Sequence, residues 1–150
     1  MKLELTKGYC TEVDEEDFEW ASQWKWYVIK HHTGVYAARS EKVSGKWRTL
    51  YFHRALWVHL GNTLEHQIDH INRYSLDNRR CNLREATRSQ NAQNKQSKGY
   101  GYDKSRNKWY AQIAVNGSDS KFIGRFNTEE EAAAAVKTWR LKLHGDFACV

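Results

Sequence analysis

One short stretch limits the folds open to this chain more than any other. Lys95-Gln96-Ser97-Lys98-Gly99 carries no apolar side chain and ends in Gly, the composition of a linker or domain boundary. The hydrophobic periodicity changes across it. A chain of 150 residues has room for one ordinary domain or two small ones. The break selects two, residues 1–97 and residues 98–150.

The first part reads as β-rich. Leu3 and Leu5 alternate with Lys2 and Glu4 in a short strand. Asp14 is placed to cap a short acidic helix that carries Phe18 and Trp20 toward Trp24. Trp24–Lys30, Gly34–Ser40 and Lys46–Phe52 read as three strands, with Thr33-Gly34 and Ser44-Gly45 as turns. Residues 53–60 place apolar side chains at 56, 57 and 60, a short amphipathic helix ending at Gly61. The vicinal His31 and His32 have no third ligand at useful spacing and read as loop.

The stretch 67–97 carries the chemistry. Asp69 and His70 are adjacent, Asn82 follows His70 by twelve positions, and Asn91 follows by nine more, with Arg79, Arg80, Arg84 and Arg88 among them. Cutting a phosphodiester needs a base to deprotonate water and a hard cation to neutralise phosphate charge. His70 suits the first task, because an imidazole of ordinary pKa about 6.5 is partly neutral at working pH. Asp69 suits the second, as a hard carboxylate donor to Mg²⁺ or Mn²⁺. Neighbours on a strand face opposite ways, so both can serve one phosphate only if the strand ends there. Taken singly, an Asp-His pair is usually structural, and Asn-rich stretches are usually turns.

Order and spacing together resemble the HNH endonucleases, whose site is two antiparallel strands and a helix around one metal ion. The resemblance implies that Asp69 and Asn91 ligate the metal, that His70 is the general base and that Asn82 steadies the loop and the base. Many members carry His at the last position. Asn91 matches the Asn variant of phage and intron-borne homing endonucleases, and its amide oxygen remains a hard ligand. The strands are expected at Gln67–Ile71 and Asn82–Ala86. A helix is expected to start at Thr87 or Ser89 and run to about Gln96. Arg79, Arg80 and Arg84 are candidates for phosphate, since Arg forks match phosphate oxygens. Arg54 is another, with a helix-start salt bridge as the equal alternative.

Beyond the break, Tyr100–Asp103, Lys108–Val115 and Lys121–Phe126 read as strands, with Asn116-Gly117-Ser118 as a hairpin turn. Thr128-Glu129-Glu130-Glu131 is a capping box opening a helix that stops near His144-Gly145. Trp109, Ala111, Ile113 and Val115 share the face under that helix; Lys108, Tyr110, Gln112 and Ala114 share the open one. Gly99, Lys108-Trp109, Ile123-Gly124-Arg125-Phe126 and His144-Gly145-Asp146-Phe147-Ala148 make this part similar to the plant ethylene-response-factor DNA-binding domain. That resemblance implies a sheet face laid in a DNA groove. Lys104, Arg106, Lys108, Tyr110, Gln112 and Lys121 are the candidate DNA contacts, with solvated surface as the alternative for each.

Charge agrees with a polyanionic partner. The chain has a formal net charge of +6; residues 1–20 hold seven acids and two bases, a balance of −5, which leaves +11 for residues 21–150. Three scattered cysteines without a Cys-x-x-Cys pair argue against a zinc knuckle or a disulfide framework. With no signal peptide and no long apolar run, the chain is expected in the cytoplasm, or in the bacterial host interior if phage-encoded.

The expected fold class is therefore α+β: a β-rich region leading into a ββα-metal module, then a three-stranded antiparallel sheet on one helix. The expected function is metal-dependent nicking of double-stranded DNA by a homing-type HNH endonuclease. It would act as a monomer or weak dimer off the membrane, with one Mg²⁺ or Mn²⁺ per site. Two alternatives stand: a DNA-binding regulator with an inactive nuclease module, and a structure- or RNA-directed nuclease.

Overall fold

The computed structural model describes residues 1–32, 34–94, 97–116 and 119–149. Thr33, Lys95, Gln96, Gly117, Ser118 and Val150 lie outside the described residues, and with them the Thr33-Gly34 turn, the heart of the polar break and the Asn116-Gly117-Ser118 turn. The chain divides into two compact units, Met1–Ala86 and Thr87–Val150. That boundary comes earlier than the polar break at 95–99, because the helix that opens at Thr87 packs on the turn Gly145–Phe147 near the carboxyl end.

In the first unit the order is β1 (Lys2–Glu4), β2 (Cys10–Glu12), α1 (Glu15–Ala21), β3 (Tyr27–His31), β4 (Gly34–Val43), β5 (Lys46–Tyr51), α2 (Phe52–His59), β6 (Gln67–His70) and β7 (Leu83–Ala86). They form three antiparallel sheets, β1-β2, β3-β4-β5 and β6-β7. The core collects Val13, Ala21, Trp26, Phe52 and Leu56, all essentially closed to solvent. Phe52 and Leu56 are one helical turn apart, so a single face of α2 buries both. The Trp26 and Phe52 rings meet edge to face at 4.6 Å, and Trp26 Nε1 donates to the carbonyl of Ala21 at 2.8 Å. An indole is buried here without an orphaned donor.

Asp14 does occupy the cap position of α1, but its side chain makes no capping bond. Its Oδ2 accepts instead from the backbone N–H of Arg80 at 2.7 Å. The negative charge still sits favourably at the positive end of the helix, while the hydrogen bond is spent on a loop far along the chain.

The second unit holds α3 (Arg88–Gln93), β8 (Tyr100–Asp103), β9 (Lys108–Asn116), β10 (Asp119–Phe126) and α4 (Glu129–His144), with the sheet ordered β10-β9-β8 and antiparallel throughout. Both helices start in capping boxes, Thr87 with Gln90 and Thr128 with Glu131. Ala111 of β9 packs beneath Ala132 and Val136 of α4, flanked by Tyr100, Trp109, Ile123 and Phe126. Gly99 enters this sheet at φ +70°, and a Cβ there would lie 2.9 Å from Val136 Cγ1. Both the left-handed backbone and the close approach require glycine.

Candidate active site

The antiparallel pair β6–β7 brings the sequence-predicted residues into register. Asp69 faces Arg84 across the ladder, and His70 faces Leu83. The strand ends at His70, one residue before the expected end at Ile71, and the chain turns back through residues 71–82. Asp69, His70 and Asn82 are all buried.

Asn82 closes the loop. Its Oδ1 accepts from the N–H of Asn72 at 2.9 Å, its Nδ2 donates to the carbonyl of Asp77 at 2.7 Å, and its own carbonyl accepts from the N–H of Ile71. Within the loop Asn72 Nδ2 donates to Asp77 Oδ2, and Arg79 forks onto the Asp77 carboxylate at 2.8 and 2.7 Å. The Arg79 hydrogen bonds hold the Asp77 carboxyl below the usual carboxylate range.

The Asp69 carboxylate accepts both Nε and Nη2 of Arg84 on one oxygen, at 3.0 and 2.9 Å. His70 Nε2 lies 3.1 Å from Asn78 Oδ1. Burial holds the His70 pKa below the ordinary histidine value, against the Asn78 hydrogen bond and the carboxylates of Asp69 and Asp77, which raise it. The ring of His53, from α2, meets that of His70 edge to face at 5.1 Å. Its pKa is pushed down to about 3, first by burial and then by His70 and Arg54. Two neutral imidazoles at neutral pH therefore stand side by side, the protonation state a general base needs.

The acidic amino-terminal stretch clamps this loop. The N–H of Glu12 donates to the carbonyl of Leu76 at 2.8 Å, and the N–H of Asn78 to that of Glu12 at 2.9 Å. Arg80 forks onto the buried Asp17 carboxylate at 2.8 and 2.6 Å and reaches Glu16 at 2.7 Å. Arg79, Arg80 and Arg84, all expected at phosphates, thus each rest on carboxylates of the fold itself. Arg54 lies on α2.

Asn91 belongs to α3 in the second unit, where its N–H donates to the carbonyl of Thr87. Among the described residues no group of three or more His, Cys, Asp or Glu side chains is placed to hold a metal ion. The donors expected from sequence, one carboxylate and one amide oxygen, are of the hard class that suits Mg²⁺ or Mn²⁺.

In the second unit Tyr110 and Gln112 share the open face of the sheet with Phe122 and Arg125, their cross-strand partners. Phe122 is exposed, and the Arg125 guanidinium lies 5.1 Å from its ring. Tyr110 lies across Gly101, where a Cβ would come within 2.7 Å of its hydroxyl. Lys108 Nζ donates to the side chain of Asn127, and Arg106 pairs with Asp103 at 3.2 Å beside Lys104 in the β8–β9 turn. Lys121, also expected at DNA, lies on the helix side. It pairs across the ladder with the buried Ile113, so strand alternation turns it under α4, where Nζ sits 4.2 Å from the Trp139 ring.

Sequence reasoning gave Asn78 only turn chemistry, did not single out Thr11, and did not include Arg125 among the candidate DNA contacts. The register of β10 on β9 was the signal for Arg125; no local signal marked Thr11.

Residues 50–93 match the family model of the HNH endonucleases. The match takes in the whole β6–β7 hairpin and its loop and supports an HNH endonuclease domain here. Comparison with the curated proteins and with the solved structures returns no match. Among the described residues no helix is long and apolar enough to cross a membrane.

Proposed function

We propose that this chain is a metal-dependent HNH endonuclease of homing type that nicks double-stranded DNA, with its second unit contributing to target recognition. The observation that carries the reading is the Asp69-His70 pair, buried at the end of β6 inside the family match, with the imidazole kept neutral and hydrogen-bonded. His70 takes the proton from the attacking water. Asn82 holds both ends of the loop that presents His70. By the resemblance, Asp69 and Asn91 supply oxygen ligands to a Mg²⁺ or Mn²⁺ ion; when bound, the ion neutralises charge on the scissile phosphate and leaving oxygen. The homing assignment rests on Asn at position 91. The recognition role rests on the open sheet face with Tyr110, Gln112, Phe122 and Arg125 and on the basic balance of residues 21–150.

The test is cleavage of supercoiled DNA with Mg²⁺ and with EDTA, wild type beside His70→Ala. Relaxed circles are expected only with wild type and metal. Loss of a general base lowers the rate about 10²- to 10⁴-fold, with DNA binding retained. Full activity of His70→Ala would overturn the assignment of the base. Sequence-specific binding without cutting under any metal would move the reading to a DNA-binding regulator.

A further inference from the structure

A buried hydrogen-bond chain links β2 to His70, and its polarity can be worked out from one end. The carbonyl of Leu76 can only accept. Thr11 Oγ1 lies 2.7 Å from it, so the Thr11 hydroxyl proton points there. The Thr11 oxygen is then an acceptor toward Asn78, at 2.7 Å, and the Asn78 atom facing it must be the amide nitrogen. That turns the Asn78 carbonyl oxygen toward His70 Nε2 at 3.1 Å. Asn78 and Thr11 are fully buried, so no water competes for this assignment at either residue.

We propose that Asn78, oriented by Thr11, is a positioning residue that fixes the proton of neutral His70 on Nε2 and so sets the tautomer in which the general base works. An amide offers His70 either a donor or an acceptor, according to how it is turned. Thr11 removes that freedom from outside the loop. The loop-closing Asn82 and the base-orienting Asn78 thus divide a task that the sequence reading gave to Asn82 alone. The backbone of the same segment is fastened to Glu12 on either side of Asp77, which keeps Asn78 in place.

The catalytic half of this inference rests on the nuclease reading; the tautomer half does not. The test therefore pairs a spectrum with a rate, both on the full chain. Long-range ¹H–¹⁵N correlation of the imidazole rings, with His70 identified by its loss in His70→Ala, reports which nitrogen carries the proton at a pH where the ring is neutral. Wild type is expected with protonated Nε2 and imine-type Nδ1. Thr11→Val keeps the shape and leaves Leu76 O its bond from the N–H of Glu12, yet frees the amide to turn. A second population with the proton on Nδ1 is expected, with a lower kcat at unchanged KM. Asn78→Leu should lose the Nε2–H preference and about 10- to 100-fold in kcat, by analogy with the outer-shell partners of metal-ligating histidines. Asn78→Asp, which still accepts, should restore Nε2–H.

Proton on Nδ1 in wild type, or a Thr11→Val spectrum identical to wild type, would overturn the proposal. If Asn78→Leu fails to fold, Thr11→Val decides. A wild type with the expected tautomer that cuts no DNA would overturn the nuclease reading while sustaining the role of Asn78 in setting the tautomer.

Discussion

Replacing Arg84 by Met tests the charge balance at the site. Arg84 gives Asp69 two charge-assisted hydrogen bonds on one oxygen, 3.0 and 2.9 Å long, and the two side chains are only 15% and 7% exposed. Met keeps much of the stem and removes the charge. Breaking a fully buried ion pair costs about 3–5 kcal/mol, because one charge stays behind without compensation. Here some solvent reaches the guanidinium, so a loss of about 2–4 kcal/mol is expected. Urea unfolding followed by tryptophan fluorescence measures it, with Trp26 in the core of the same unit as the reporter. The two units need separate fits if two transitions appear. The same titration with Mg²⁺ asks a sharper question. An ion that binds only the folded state adds about 2.7 kcal/mol at a hundred times its Kd. In wild type the ion competes with a guanidinium for Asp69; in Arg84→Met it does not. Mg²⁺ should therefore stabilise the variant more than wild type and recover part of the loss. A variant within about 0.5 kcal/mol of wild type would refute the ion-pair argument, and equal stabilisation of both proteins by Mg²⁺ would refute the competition between Arg84 and the ion for Asp69.

Three further outcomes are expected. His53 has a folded pKa of about 3 against an ordinary 6.5, so below pH about 6.5 the unfolded chain binds a proton that the folded one does not, and stability falls as pH falls. His53→Gln should flatten the stability-against-pH curve between about pH 6 and 4.5 by close to one proton, about 1.4 kcal/mol per pH unit, read from urea midpoints; an unchanged slope would refute it. Leu56→Ala, at a position closed to solvent, should cost about 3–5 kcal/mol by the same measurement, and a loss below 1 kcal/mol would mean that α2 is not a core element. Arg125→Ala should weaken DNA binding and reduce the slope of log K against log salt by about 1 if its guanidinium meets a phosphate, as read by fluorescence anisotropy at several salt concentrations; an unchanged slope would remove it from the interface.

Much of the local structure was legible because it is written in local chemistry. The Thr128 capping box and the alternation of Ala111 and Ile113 with Tyr110 and Gln112 follow from side-chain type and spacing within a few residues. The adjacency of Asp69 and His70 was likewise visible, since covalent neighbours stay neighbours in any fold.

The sequence by itself determined which residues can do acid–base chemistry, where the chain changes its periodicity and which faces of its strands are apolar. Tertiary structure decided the partners of the polar side chains. Arg80 and Asp17 are 63 positions apart and Thr11 and Asn78 are 67 apart, yet these pairs fasten the loop behind His70. No periodicity encodes such contacts, because a hydrogen bond depends on distance and angle in space and not on separation along the chain. The partners of the acidic stretch were hidden for the same reason: charge is readable from residue type, but whether a carboxylate meets water, an arginine or a backbone N–H is settled only when the chain closes on itself.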